Sequence, residues 1–295
     1  MDERNRVVAL GFFDGVHLGH QKVIRECADR GDGCRCVALT FRESPAKAIG
    51  RPSPPLLTVN AQKARLMQQM GADDIIFTDF DAVRELSPEE FVQLILLEKL
   101  GAKYVCCGFN YRFGYRSAGD TATLRKLCGE RGIKVIVCEP VTVGSEQVSS
   151  SRIRALIGAG EVEKAAELLG YPYTIESEIS KGNRIGSLMG FPTLNLPINE
   201  GTVIPKYGVY ASLVTIDGTV CQGATNIGVH PTVGAHPTPL CETFLLNFDG
   251  GNLYGKTAGC ELIRFVREEK HFDSIEALTE QIKTDCEQIK KMVMK

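Results

Sequence analysis

Short apolar runs alternate with helix-period segments from the N-terminus to residue 170, and the rhythm changes after that. Val7-Val8-Ala9-Leu10 reads as a buried strand, and further strands are predicted at 36–41, 74–77, 103–107 and 133–137. Helices are predicted between them at 18–30, at 60–70 closed by Gly71, and at 91–100 behind the capping box Ser87-Pro88-Glu89-Glu90. Pro45, Pro52, Pro54 and Pro55 mark a long loop. Strands alternating with helices of this length predict a parallel α/β sheet, Rossmann-like, covered on both faces. Residues 154–170 are helical, broken by Gly158-Ala159-Gly160 and ended by Gly170-Tyr171-Pro172.

From Tyr173 onward the runs are short and of β type, at 174–180, 209–216, 220–227, 241–248 and 261–266, with Gly and Asp turns between them. That pattern predicts a small antiparallel β-barrel. A C-terminal helix starting near Ser274 carries Ile275, Leu278, Ile282, Ile289 and Val293 on one stripe, which would pack on the barrel. The expected domains are therefore 1–170 and 171–295.

Composition narrows the classes of function. With 34 basic and 36 acidic residues, a net charge of −2, the 295-residue chain carries no electrostatic footprint for nucleic acid or an anionic membrane, so small-molecule partners are expected. No apolar run approaches the length of a membrane span. The 11 cysteines include no CxxC pair and no secretory leader precedes them, so reduced thiols and a cytoplasmic location are expected. Nothing in the pattern fixes an oligomeric state, and a homo-oligomer stays open.

The first candidate site follows the first strand, in Gly11-Phe12-Phe13-Asp14-Gly15-Val16-His17-Leu18-Gly19-His20. A strand that ends in a Gly-bounded turn and opens a helix aims unpaired N–H groups and the positive helix end at one spot, which suits a phosphate. His17 and His20, three apart, would face the same way, and Gly19 lets a ligand approach the backbone. Gly11, Phe13, Asp14, Gly15 and Gly19 are the candidate nucleotide contacts of the turn. Half of a metal site, or two exposed polar residues, is the competing interpretation; the strand–turn–helix setting favours phosphate. The His-x-Gly-His spacing resembles the signature of the nucleotidyltransferase superfamily.

Two more segments fit the same end of the sheet. The loop 108–120 interleaves aromatics with Asn110, Arg112 and Arg116, as would suit a flat ring carrying phosphate, or else it packs its own aromatics. Ser149-Ser150-Ser151 opens a helix in which Arg154 opposes the helix dipole unless an anion offsets it.

The second domain has its own candidates. Lys181 and Gly182 begin a flexible basic loop that could lie over phosphates. Thr193 and Asn195, two apart in an extended segment, would share one hard cation such as Mg²⁺, or simply form a polar turn. Glu242 starts an otherwise apolar strand, either on an exposed edge or held for chemistry.

Taken together, Gly-Phe-Phe-Asp-Gly-Val-His-Leu-Gly-His-Gln, Gly-Phe-Asn-Tyr-Arg-Phe-Gly and Ser-Ser-Ser-Arg-Ile-Arg resemble the FAD synthetase module of the bacterial bifunctional riboflavin kinase/FMN adenylyltransferase family. Gly-Phe-Pro-Thr-x-Asn-Leu, Glu-x-x-Leu-Leu-Asn-Phe-Asp-Gly and Arg267-Glu268-Glu269-Lys270-His271-Phe272 resemble its riboflavin kinase module. The resemblance implies that riboflavin is phosphorylated to FMN and FMN adenylylated to FAD, with ATP as co-substrate and Mg²⁺ as cofactor. It implies that His17 and His20 contact ATP phosphates, with Asn110, Ser149, Ser150 and Arg154 helping to hold nucleotide. It further implies that Thr193 and Asn195 hold Mg²⁺–ATP, that Glu242 is the base for the ribityl 5′-hydroxyl, and that Arg267 lies near the flavin. Two departures stand out: Arg42-Glu43-Ser44-Pro45 replaces the usual Asp-Pro-His-Pro-like run, and Ser187 stands where the family often has Arg. Slower adenylylation and a weaker hold on ATP in the kinase site are the expected consequences. One live activity of the two, a flavin- or nucleotide-binding sensor without turnover, or another nucleotidyltransferase substrate for the first domain alone are the alternatives.

Overall fold

A computed structural model describes residues 6–30, 33–180, 193–229, 239–246, 248 and 253–293. The chain divides into two compact units, Met1–Ser150 and Ser151–Lys295.

In the first unit five parallel strands, β1 (Arg6–Leu10), β2 (Arg35–Phe41), β3 (Asp74–Thr78), β4 (Ala102–Gly108) and β5 (Lys134–Cys138), lie in the order β3-β2-β1-β4-β5. The run of apolar residues in β1 is explained by the two cores it serves. Val8 and Leu10 enter a cluster with Leu96, Val105, Cys107 and Leu124, while Val7 and Ala9 enter another with Ile24, Met67 and Cys106. A strand buried on both faces cannot show polar alternation. Because β1 pairs with β2 on one side and β4 on the other, its carboxyl end is the point where the winding reverses, the usual ligand crevice of such sheets.

The helices are α1 (Leu18–Ala28), α2 (Pro45–Ala48), α3 (Asn60–Gln69), α4 (Pro88–Glu90) and α5 (Thr121–Gly129). α2 lies inside the stretch expected to be loop, started by Pro45 in the first turn, where its fixed φ suits a helix. The capping box before α4 forms, with Ser87 Oγ accepting from Glu90 N–H and the Glu90 carboxylate accepting from Ser87 N–H. The following helix, Phe91–Lys99, is of the wide π type, with Leu100 N–H bonded to the Ile95 carbonyl at 3.0 Å. Hydrophobic periodicity does not separate that geometry from an α-helix. A two-residue hairpin, β6 (Thr142–Val143) with β7 (Glu146–Gln147), completes the described strands of this unit.

Two helices, α6 (Ser150–Ala159) and α7 (Val162–Leu169), open the second unit, and Gly170 ends α7 in the left-handed conformation at φ 79°. Six antiparallel strands follow, β8 (Thr174–Glu178), β9 (Thr193–Pro197), β10 (Gly208–Ile216), β11 (Thr219–Val229), β12 (Pro239–Leu245) and β13 (Thr257–Arg267), in the order β8-β13-β10-β11-β12-β9. A bridge from Ser180 to Asn195, with Ser180 N–H donating to the Asn195 carbonyl at 2.9 Å, brings the two ends of this sheet together into a nearly closed barrel.

The last helix, α8 (Ile275–Val293), packs on β10, β11 and β13 and places the fully buried Ile289 against Val209 and Ala211. One stripe residue departs from expectation: Ile275 is 64% exposed at the first turn, and burial begins further along the helix, at Asp285, Cys286 and Ile289. All 11 cysteines are free. Among the described residues no helix is long and apolar enough to cross a membrane.

Candidate active sites

The turn between β1 and α1 is held in a conformation that few sequences adopt. Phe13, Gly15 and Val16 have φ of 54°, 78° and 35°. Two non-glycine residues in that region are costly, so the surroundings must impose them. They do so with backbone and side-chain hydrogen bonds from three segments. Asp14 Oδ1 accepts from Leu57 N–H at 2.8 Å, and Gly15 N–H donates to Thr58 Oγ1 at 3.2 Å. Thr40 Oγ1 donates to the Phe12 carbonyl at 2.9 Å, and Ser150 Oγ to the Asp14 carbonyl at 3.1 Å. Space is also exhausted, since a Cβ on Gly15 would stand 2.6 Å from Leu57 Cδ1 and one on Gly11 2.8 Å from the Phe13 ring.

This scaffold sets the two histidines. His17 is the N-cap of α1, its Nδ1 accepting from His20 N–H at 3.3 Å, and the two imidazoles stack with centroids 3.6 Å apart. With Nδ1 accepting, a neutral His17 ring carries its proton on Nε2, where it can donate. Phe13 meets His20 edge-on at 5.4 Å. His20 Nδ1 is buried without a hydrogen-bond partner, an unmet polar atom at the mouth of a helix. Burial, then the neighbouring charges of His17 and Lys63, push the His20 pKa well below its usual value, so its ring is neutral at pH 7. Gly19 lies against His17, where an added Cβ would come within 3.2 Å of the ring.

Sequence reasoning missed Lys63 of α3. Its side chain is 2% exposed, and its ammonium donates to the carbonyls of Phe12 at 3.3 Å and Phe41 at 2.9 Å and reaches Thr40 Oγ1 at 3.5 Å. Burial pulls its pKa down to about 8, against the opposing charge of Asp14. The available signal was a lysine four residues before Met67 on the buried stripe of the helix. Leu57 and Thr58 were missed because they lie in what reads as a proline-rich loop.

The loop after β4 follows the strand beside β1 and so starts from the same edge of the sheet. Its aromatics divide: Phe113 is buried, 5.4 Å from Phe91 and 6.0 Å from Tyr111, while Phe109 and Tyr115 are exposed, as are Asn110 and Arg112. Asp120 caps α5, accepting from Thr123 N–H at 2.8 Å; these Thr123 bonds, helped by the Arg112 charge, lower its pKa. Ser149 and Ser150 precede and open α6, and Arg154 lies one turn on. The hydroxyl of Ser150 serves the Asp14 carbonyl rather than its own helix. Ser44, at the first departure from the family pattern, precedes α2.

In the second unit the barrel interior is lined by a chain of buried hydroxyls, Ser212 to Thr225 to Thr243, each 2.7 Å from the next. The opposite face, against which α8 packs, carries the candidate residues. Strand register sets Asn195 of β9 opposite Glu242 of β12, Glu242 opposite Asn226 of β11, Asn226 opposite Val209 of β10, and Val209 opposite Arg267 of β13. Glu242 is therefore not on an edge: β12 is flanked by β9 and β11. Thr193 Oγ1 donates to Glu242 Oε1 at 2.7 Å, and Asn195 is 5% exposed. The side-chain oxygens of Thr193 and Asn195, beside the Glu242 carboxylate, are hard donors that would fit Mg²⁺, which keeps most of its shell for water and phosphate. Arg267 is committed elsewhere, to a buried bidentate pair with Asp285 of α8 at 2.7–3.1 Å. Lys181, Gly182 and Ser187 lie outside the described residues.

Comparison with known proteins covers both units. A family model described as FAD synthetase matches residues 1–152, and one described as riboflavin kinase matches residues 169–293. A relative from Listeria monocytogenes, named bifunctional riboflavin kinase/FMN adenylyltransferase, is 36% identical over 286 residues, 95% of this chain and 90% of the relative. The protein of the same name from Bacillus subtilis is 34% identical over 292 residues, 96% and 91% of the two chains. A crystal structure from Streptococcus pneumoniae, described as a macrolide-efflux protein, superposes with a TM-score of 0.87 at 30% identity, covering 97% of this chain and 94% of that one.

Proposed function

This chain belongs to the bifunctional riboflavin kinase/FMN adenylyltransferase family, and on that premise we propose how its residues divide the two reactions. It is an enzyme of both activities: riboflavin and ATP give FMN and ADP, and FMN and ATP give FAD and pyrophosphate. We assign the adenylyl step to residues 1–170, which add α6 and α7 to the first compact unit, and the phosphoryl step to the barrel within 171–295. Free cysteines throughout agree with a reducing cytoplasm.

In the adenylyl step an oxygen of the FMN phosphate attacks the α-phosphorus of ATP and pyrophosphate leaves. The stacked His17 and His20 sit at the start of α1, where backbone N–H groups and the helix dipole favour anions. A neutral His20 carries no charge of its own to that spot, so it acts as a hydrogen-bonding group, able to donate to a phosphate oxygen from the ring nitrogen that bears its proton. Gly11, Phe13, Asp14, Gly15 and Gly19 shape the turn, and Asn110, Arg112, Ser149, Ser150 and Arg154 supply nucleotide contacts. Positioning and charge offset carry this step, with no covalent enzyme intermediate.

In the phosphoryl step Glu242 takes the proton of the ribityl 5′-hydroxyl as its oxygen attacks the γ-phosphorus, and ADP leaves. The Thr193 hydroxyl, 2.7 Å away, fixes that carboxylate. Thr193 and Asn195 would hold Mg²⁺, which when bound neutralises phosphate charge. Lys181 and Gly182 would cover the phosphates. Arg267, gripped by Asp285, fixes α8 beside the flavin end of the row.

The Thr193–Glu242 contact, across strands that are not neighbours in sequence, is the observation that most supports the assignment. The test is chromatography of flavins formed from riboflavin, ATP and Mg²⁺ by purified protein. FMN followed by FAD is expected; flavin bound without turnover would refute it.

A further inference from the structure

Among the described residues, Lys63 is the only buried lysine or arginine. An ammonium 2% exposed must exchange its hydration for protein acceptors, and a fold does not tolerate that without a compensating reason. The inward stripe of α3 would be served by an apolar side chain here, as it is one turn later by the fully buried Met67. Lys63 is nonetheless matched closely to its place. Its three donors meet three acceptors, the Phe12 and Phe41 carbonyls and Thr40 Oγ1. The rings of Phe12 and Phe77 lie 4.6 and 5.3 Å from it, close enough for cation–π attraction.

Those acceptors lie at the carboxyl ends of β1 and β2. The Phe12 carbonyl immediately precedes the left-handed Phe13, so a group that pins it fixes the start of the strained turn that carries both histidines. We propose that Lys63 is a positioning residue for adenylyl transfer, which pins the Phe12 carbonyl and places a buried positive charge beneath the phosphate-binding turn. The inference rests on the assignment of adenylyl transfer to this unit.

The charged and titratable groups around the ammonium come from three other elements: Asp14 of the turn, His20 of α1, and Arg42, on the Phe77 ring at the end of β2. Asp14 alone is anionic. Its Oδ1 accepts from Leu57 N–H, and its charge favours the protonated form of Lys63 against the effect of burial. Deprotonation of Lys63, with a pKa of about 8, removes the charge and one donor.

The experiment compares wild type, Lys63→Met and Lys63→Gln in the two half-reactions from pH 6.5 to 9.5. FMN adenylylation by wild type should fall on the alkaline side with an apparent pKa of about 8. Both variants should lose roughly 100-fold in kcat with a smaller change in the KM for ATP, the scale of a misplaced site. Both should also lose the alkaline limb, while riboflavin phosphorylation stays at the wild-type rate. Gln keeps two donors, so a Met variant that fails to fold leaves the Gln variant to answer. Wild-type kcat in Lys63→Gln, or an alkaline limb that survives in it, overturns the proposal. A wild-type chain that makes FMN but no FAD overturns the adenylyl assignment itself, and Lys63 falls with it.

Discussion

Removing Asp285 tests whether Arg267 holds α8 to the barrel. Arg267 Nε donates to Asp285 Oδ1 and Oδ2 at 3.0 and 3.1 Å, and Nη2 donates to Oδ2 at 2.7 Å. The side chains are 16% and 5% exposed, so the pair is almost wholly desolvated. Gln281, one turn earlier on α8, also donates to Oδ1 at 2.8 Å. Truncation by Asp285→Ala leaves a guanidinium buried without its anion, and breaking such a pair costs about 3–5 kcal/mol. The bond from Arg267 Nη1 to the Glu268 carbonyl survives, which favours the lower end, about 3 kcal/mol. The chain has no Trp, so urea unfolding is best followed by far-UV circular dichroism. With a urea slope of about 2 kcal/mol/M, the transition of the second unit should move down by about 1.5 M. The double variant Arg267→Met/Asp285→Met should regain at least half of the loss, because two apolar chains replace the pair without orphaning a charge. A loss below about 1 kcal/mol in Asp285→Ala, or a double variant no more stable than the single one, would refute the latch.

The first unit offers two further tests. His20 binds its proton only well below pH 6.5 when folded, whereas the unfolded chain binds it near 6.5, so the unfolded state holds more protons between those values. Stability of this unit should therefore fall as pH drops below about 6.5, by up to about 1.4 kcal/mol per pH unit, and His20→Gln should flatten that dependence; an equal loss of unfolding free energy between pH 7 and 5.5 in wild type and variant, measured by urea titration, would contradict it. Gly15→Ala sets a Cβ at φ 78° and 2.6 Å from Leu57. It should cost about 1–2 kcal/mol for the left-handed backbone alone and lower FAD formation with FMN formation intact, an outcome checked by thermal melting and paired assays.

What could be read in the sequence was local. The apolar runs of β1 and β4, the capping box at Ser87 and the glycines closing α3 and α7 each carry their signal within a few residues. The pairing of His17 with His20 was legible for the same reason, since residues three apart at a helix start face one way. What the sequence hid depends on distant partners. The strand of Glu242 alone left an exposed edge and a chemical role both open, because β9, its neighbour in the sheet, lies far back in the chain and only the fold brings the two together. Arg267 was placed near the flavin by resemblance alone, and its ion pair was hidden because the anion sits on the last helix. Lys63 went unnoticed inside its predicted helix because the three oxygens that receive it come from the ends of two strands. Ile275 fits the stripe by periodicity, but it lies at the first turn of α8, and the buried side begins further along.

The central claim is that one chain holds two independent sites, one per unit. The direct measurement assays FMN formation and FAD formation separately in His17→Ala and Glu242→Ala. The account predicts that His17→Ala loses FAD formation and keeps FMN formation, and that Glu242→Ala does the reverse. Either variant retaining both activities at wild-type rates would contradict it.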